Sequence, residues 1–439
     1  MTVDRDAPGI GRRKVLGLMA STAVASMAAP QVLLAQGAGR GWFGNWRKEE
    51  PQQPAPQVAP TRTEIIEGGV ARPMLNESSV ELMLDAVARY EIMTRRGGWP
   101  QLPMPNAALA RGTRDPLVPY LRIRLAAENF LPFQPVQNDD NYDEVVEAAV
   151  ARFQRNHGLH AHGRLDGKTV AALNVTTAAR LETLRANLPR VQEHAVDLGQ
   201  RYVVVNIPGA QLEAVEFGRV RSRHNVVVGM PDRPSPAVSS RIHELNFNPY
   251  WHAPVSIVRK DIIPKYLENP NLLDQLGIRV FDGWNGPEID PRTVDWRSVA
   301  PDRYQFRQDP GGENAMASVK INFPNKHSVY MHDTPTKELF TEASRYFSSG
   351  CVRVEQVHEL TNWILNGQEG WDPFRIQSVV QSGERLDVAI ADPPQVRWSY
   401  LTSWVGGDGF VNFRDDIYNL DGTGFVSGQP VVASRDTAG

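Results

Sequence analysis

Two periodicities divide the chain. Between residues 70 and 195 the apolar positions recur at helical spacing, and from about Leu198 they alternate with polar ones. In the first half, Asn141-Tyr142-Asp143-Glu144 has the form of a helix cap followed three residues on by glutamate, with Asn141 as the cap. Val146, Val150 and Phe153 then fall on one helix face. Gly158 suits the residue just past that helix, and Asp166 suits the cap of a second, short helix carrying Val170 and Leu173. In the second half, strands are predicted over Tyr202–Asn206 and Leu212–Phe217, flanking a Pro208-Gly209 turn, and over His224–Val228 before Gly229. Further strands are predicted over Val319–Phe323, Ser328–Met331, Ile376–Val380 and Arg385–Ala391, and a helix over Glu355–Leu365 ending before Gly367. The alternation lapses from Pro249 to about Ala300, a segment with Trp251, Trp284, Trp296 and an amphipathic stretch, Pro254–Leu267. It is too long for a plain loop, so a subdomain inserted into a β-rich domain is expected at about 249–300.

Composition adds limits rather than a function. The chain has 439 residues, room for two or three domains, and a formal net charge of -3, which argues against nucleic-acid binding and polybasic membrane docking. Residues 1–36 read as an export signal: Arg12-Arg13-Lys14 precede a mildly apolar run from Val15 to Ala35, in the manner of a twin-arginine signal. Cleavage after Ala35 is preferred over cleavage after Ala28; an uncleaved anchor is the competing reading. Residues 37–66, with Pro51, Pro54, Pro56 and Pro60, suit an extended linker, and the Gly/Ser/Thr-rich residues 421–439 suit a disordered tail. The helical scaffold is then expected at 67–197 and the β-rich domain at 198–420.

One cysteine, Cys351, cannot form an intramolecular disulfide, so it is either a buried apolar side chain or a working thiol. Its surroundings are Phe347-Ser-Ser-Gly-Cys351-Val-Arg-Val354, and an earlier string reads Tyr330-Met-His332-Asp-Thr-Pro335. A thiol is only slightly ionised at neutral pH and needs a base such as His332 within about 3 Å to react as thiolate. A turn at Gly350 can aim backbone N–H groups of Ser349 to Cys351 at a developing oxyanion. By residue chemistry alone the pair is a candidate and no more. His157, His160 and His162 also cluster, but without cysteines or spaced carboxylates they read as solvated loop histidines rather than a metal site.

The two strings, with His332 and Cys351 set 19 residues apart, resemble the active-site signature of the L,D-transpeptidases, the YkuD-type domain. The form Ser-Ser-Gly-Cys-x-Arg matches their larger periplasmic branch. Val226-Val-Val-Gly229, Asn248-Pro-x-Trp251-x-x-Pro254, Phe323-Pro-Asn325 and Trp404…Phe413-Arg-Asp-Asp-Ile-Tyr418 extend the resemblance. Ala151–Leu159 with Gly163–Asn174 resembles the small three-helix peptidoglycan-binding module, within about 118–175, although His162 stands where an aspartate is common. Glycan binding and a purely scaffolding role both stay open for it.

The resemblance implies an α+β multidomain protein: a β-rich sandwich or barrel-like catalytic domain with a lid inserted at 249–300, preceded by the helical domain. It implies Cys351 as acyl acceptor, His332 as base, and Ser349 and Gly350 as oxyanion backbone. It also implies Arg353 as a clamp on the anionic stem peptide, unless Arg353 serves an ion pair with a residue such as Glu355. Asp333 is a weaker candidate for orienting His332, a task a backbone carbonyl also performs. The implied reaction joins peptidoglycan stem peptides: a tetrapeptide donor loses D-alanine, and a diamino-acid amine accepts the acyl group in a 3→3 cross-link. It needs no cofactor or metal, takes place in the periplasm and is sensitive to carbapenems. Hydrolysis of the same acyl-enzyme, attachment of a protein to the wall, and a non-catalytic wall-binding protein are the alternatives.

Overall fold

The computed structural model describes residues 63–66, 72–132, 139–342 and 344–423. The expected export signal, the linker up to residue 62 and the tail beyond Thr423 lie outside them. Thr63–Ile66, expected within an extended linker, instead contributes a strand, β1 (Glu64–Ile65), which pairs with a later strand across Glu64↔Arg223. Its apolar Ile65-Ile66 and the Thr63 hydroxyl, which donates to Glu355, separate it from the proline-rich residues before it.

Five helices follow: α1 (Ser79–Arg95), α2 (Val118–Ala127), α3 (Glu144–Asn156), α4 (Gly167–Leu173) and α5 (Thr177–His194). The cap of α3 is Asp143 rather than Asn141; its carboxylate accepts from Val146 N–H at 2.9 Å, two residues later than the sequence pattern suggested. Asp166 caps α4 as expected, accepting from Thr169 N–H. Gly158, at φ +68°, terminates α3. Residues of α2 to α4 enclose one apolar core. The helices α1 and α5 share a second core with Leu401, Trp404, Val405, Val411 and Phe413 from the far end of the chain. Polar contacts tie the same ends: Asn187 Nδ2 donates to Thr402 Oγ1, and Arg190 pairs with Asp421 at 2.6 Å. Asp421, expected in a disordered tail, is therefore anchored.

Strands β2 (Arg201–Asn206), β3 (Gln211–Glu216), β4 (Arg219–Gly229), β5 (Val238–Arg241) and β6 (Glu244–Phe247) begin the large sheet. The inserted unit comes next: β7 (Trp251–His252), α6 (Val255–Ile257), a π-helical turn over Val258–Ile262, α7 (Ile263–Glu268), α8 (Leu272–Gln275), β8 (Ile278–Phe281), β9 (Glu288–Ile289) and β10 (Gln305–Gln308). These four strands form their own sheet in the order β7-β10-β8-β9. Phe306, Ala315 and Met316 belong to its core, so the unit runs beyond the expected boundary near 300. The chain then returns through β11 (Val319–Asn322), β12 (Met331–His332), β13 (Tyr346–Ser348), β14 (Val352–Val354), α9 (Val357–Leu365), α10 (Pro373–Ser382), β15 (Leu386–Ala389), β16 (Gln395–Ser399), β17 (Ser403–Val405) and β18 (Val411–Phe413).

The large sheet has twelve strands, ordered β15-β6-β11-β12-β14-β4-β3-β2-β16-β5 with β1 and β13 added on β4. Its core holds Trp398, Phe247, Val226, Val228 and the buried face of α9. The segment Ile376–Val380, predicted as a strand, lies inside helix α10. Asp372 caps it by accepting from Arg375 N–H, Pro373 opens it and Gly383 closes it at φ +69°. Those end signals outweigh a five-residue apolar run that is ambiguous by itself. Likewise only Met331 of the predicted Ser328–Met331 strand enters the sheet, because Ser328 takes a positive φ of 55°.

Four buried histidines make this fold sensitive to acid. Burial holds His157 and His332 down to about 3 and His194 and His224 down to about 4. Each is depressed relative to the unfolded chain, so the unfolded state binds more protons once pH falls below the ordinary histidine value. Stability is therefore complete above about pH 6.5 and is lost as pH falls towards 4, by about 1.4 kcal/mol per histidine per pH unit. Calorimetric Tm measured from pH 7 to 4 should show this fall. His157 is packed ring to ring on Phe153 at 3.8 Å, so His157→Phe should keep the stack and flatten the slope.

Candidate active site

The strand β12 is two residues long, yet it fixes the site. It runs parallel to β14 with Met331 opposite Val352 and His332 opposite Arg353, and Val352 N–H donates to Tyr330 O at 3.1 Å. This register brings the two sequence strings side by side and sets residue 351 level with residue 330. Before β14 the chain makes a tight turn through Ser348-Ser349-Gly350. Gly350 takes φ +112°, a backbone conformation that side chains with a Cβ resist. Ser348 Oγ donates to Cys351 O at 2.5 Å and accepts from Gly350 N–H at 3.2 Å, while Ser235 Oγ donates to Gly350 O at 2.8 Å. The turn is thus held from both sides.

Cys351, His332, Arg353, Tyr330, Ser348 and Ser349 line one cleft of about 320 Å³, faced by Trp251, Pro254, Ile257 and Ala315 of the inserted unit. His332 is buried, and its Nδ1–H donates to the backbone carbonyl of Asp333. That bond fixes the tautomer in which Nε2 carries the lone pair. Burial, followed by the neighbouring Arg353 charge, holds the imidazole down to about 3. Burial pushes the Cys351 thiol up to about 11, opposed by hydrogen bonds from Tyr330 and by the charges of Lys320 and Arg353. The resting cleft accordingly holds a neutral thiol and a neutral imidazole, and Nε2 is the ring nitrogen able to accept a proton.

The sequence-predicted residues fare differently. Cys351, His332, Ser349 and Arg353 meet at the cleft. The N–H of Gly350 is turned onto Ser348 Oγ, so it is not aimed at the cleft as an oxyanion donor would be. Asp333 orients His332 through its backbone, as the alternative reading had it; its carboxylate accepts from Ser318 Oγ at 2.6 Å and from Lys337. Arg353 is buried in β14, and burial lowers its guanidinium to about 10. Glu355, the partner considered for it, accepts from Thr63 Oγ1. The helix α9 starts at Val357, six positions past Cys351.

Two members were not legible. Lys320 lies opposite His332 in the β11–β12 register, with Nζ 4.4 Å from the centre of the Tyr330 ring, and burial lowers its affinity for a proton. Its place in an alternating strand reads as solvent-facing. Tyr330 packs edge-on to His332 at 5.6 Å and bonds to the sulfur, and burial raises its phenol well above the usual range. Its position two residues before His332 was the available signal. Among the histidines of the helical domain, His157 is not solvated but buried between Phe153 and Phe413. No group of three or more His, Cys, Asp or Glu side chains with metal-binding geometry occurs among the described residues.

Comparison with known proteins bears on this site. Residues 200–380 match the family model of the L,D-transpeptidase catalytic domain, and residues 114–173 match the model described as "Putative peptidoglycan binding domain". A curated relative from Haemophilus influenzae, named "Putative L,D-transpeptidase", is 31% identical over 220 residues, covering 50% of this chain and 44% of the relative. The chain thus matches less than half the length of that relative. Among solved structures, an L,D-transpeptidase of Xylanimonas cellulosilytica is 16% identical, with 68% of this chain and 98% of that chain covered and a TM-score of 0.22. L,D-transpeptidase 3 of Mycobacterium tuberculosis is 13% identical, with 45% and 60% covered and a TM-score of 0.23. Superpositions this loose carry no residue correspondence.

Proposed function

We propose, on the match of residues 200–380 to the L,D-transpeptidase catalytic domain, that the chain is an acyltransferase that cross-links peptidoglycan stem peptides through a thioester on Cys351. The observation that carries the reading is the shared cleft: Cys351 and His332 line it together, with Nδ1 of His332 bonded away on Asp333 O and Nε2 left as the acceptor. On binding of the donor, His332 Nε2 takes the thiol proton as sulfur attacks the carbonyl of the third stem residue. The bond to D-alanine breaks, the imidazolium returns the proton to the departing amine, and D-alanine leaves. A diamino-acid amine then attacks the thioester, giving up its proton to His332, and the thiol is restored. The N–H groups of Ser349 and Cys351 are the donors for the tetrahedral oxyanion. Arg353 supplies positive charge for a substrate carboxylate and for the developing thiolate.

The inserted unit acts as a lid, since its apolar face supplies the opposite wall of the cleft. Export through the twin-arginine route to the periplasm, suggested by Arg12 and Arg13, would bring the enzyme to this substrate. Contact of the helical domain with glycan is part of the same reading. Purified protein incubated with sacculi rich in tetrapeptide stems should release D-alanine and yield dimers linked 3→3, identified by mass and fragmentation. Tripeptide monomers without dimers would transfer the reading to hydrolysis, and unchanged muropeptides would refute it.

A further inference from the structure

The loop between β4 and β5 touches the Cys351 turn on one side and the inserted unit on the other. Met230 N–H donates to Ser348 O at 3.0 Å, and Ser235 Oγ donates to Gly350 O. Between these anchors Arg233 directs its guanidinium at the inserted unit. Nη1 and Nη2 donate to the two carboxylate oxygens of Asp261 at 2.5 and 2.9 Å, and Nη1 also donates to Ser349 Oγ at 3.2 Å. Asp261 is 5% exposed and sits in the π-helical turn Val258–Ile262. A π-turn shifts side chains relative to a regular helix and tends to occur where a helix serves a site. The backbone under the guanidinium is equally confined: a Cβ on Gly229 would lie 2.3 Å from Arg233 O.

The pair spans two cores that are otherwise distinct, that of the large sheet and that of the inserted unit. It can therefore be broken without opening either. A two-pronged arginine–carboxylate bond also fixes direction as well as distance, which a lysine cannot reproduce. We propose that Arg233 is a positioning residue and that its pairing with Asp261 makes the seating of the inserted unit set the Ser349 stretch for acyl transfer. This rests on the reading of Cys351 as acyl acceptor given above. With the pair formed, Ser349, which lines the cleft, is gripped through its hydroxyl. With the pair broken, the inserted unit keeps its contact with Tyr330 but no longer fixes the Ser349 stretch, and the oxyanion donors lose their registration.

Asp261→Asn and Arg233→Lys test this in the full chain, with two reactions of the same thiol. Acylation by a disaccharide tetrapeptide, followed as the thioester by intact-protein mass, needs oxyanion donors; alkylation by iodoacetamide, a displacement at saturated carbon, does not. Both variants should lower the maximal acylation rate at saturating donor at least tenfold and leave alkylation within twofold of wild type. Acylation within twofold of wild type in both variants would overturn the proposal. So would a parallel fall in acylation and alkylation with a lowered Tm, the mark of a merely structural pair. A wild-type protein that the donor fails to acylate would instead refute the assignment of Cys351, whatever the variants do.

Discussion

A carbapenem added to the purified protein should leave one covalent adduct per chain, and Cys351→Ala should leave none. Cys351 is the single cysteine of the sequence, so loss of the adduct has one explanation. The residue lies immediately before β14 in the cleft, partly exposed, and its side chain packs only at the margin of the main core. Removing the sulfur should therefore cost little stability, and Tm measured beside the adduct separates lost chemistry from lost fold. Cys351→Ser should be almost as inert, because a hydroxyl ionises far less readily than a thiol already pushed up to about 11. Acylation of the alanine variant would sink the nucleophile assignment.

The second large effect belongs to His332. With a thiol near 11, only about one molecule in ten thousand carries a thiolate at pH 7 without help from a base. His332→Ala should therefore acylate roughly 10² to 10⁴ times more slowly at neutral pH. Its rate should then rise about tenfold per pH unit, since each unit multiplies the unaided thiolate fraction by that amount. Wild type should behave differently: its imidazole, held down to about 3, stays unprotonated across the whole working range, so its rate should change little from pH 6 to 8. Stopped-time acylation between pH 6 and 9 compares the two profiles. A variant profile as flat as that of wild type would make His332 a structural residue.

The site was legible because both of its strings are continuous in sequence, and the strands that carry them are adjacent in the sheet. What the sequence concealed were relations between distant segments. Lys320 stands between apolar Val319 and Ile321 in an alternating strand, and only the β11–β12 register puts it across from His332. His157 looked solvated because one of the rings that enclose it, Phe413, lies more than 250 positions away. Gly350 was correctly expected at a turn, but the direction of its N–H depends on the Ser348 hydroxyl. The helix over Ile376–Val380 does have sequence signals: Asp372-Pro373 before the run and Gly383 after it mark helix ends, whereas the short apolar run alone fits either a strand or a helix. The inserted unit was visible as a lapse in strand pattern, whereas its end was not, because β10 is an ordinary short strand whose pairing with β7 and β8 shows only in the register.

The joining of the two ends of the described chain also sets a schedule for folding. Asn187 meets Thr402 across 215 positions, and Arg190 meets the end of that region across 230 or more. At about 5–20 residues per second, a ribosome needs roughly 10 to 50 s to travel from one set of partners to the other. Throughout that interval α1 and α5 lack the apolar surface that Trp404 and Phe413 later supply. Contacts so remote in sequence also close slowly once both sides exist. The helical half is thus the part of this protein that waits longest for its mate, and the part on which a holding chaperone would act first.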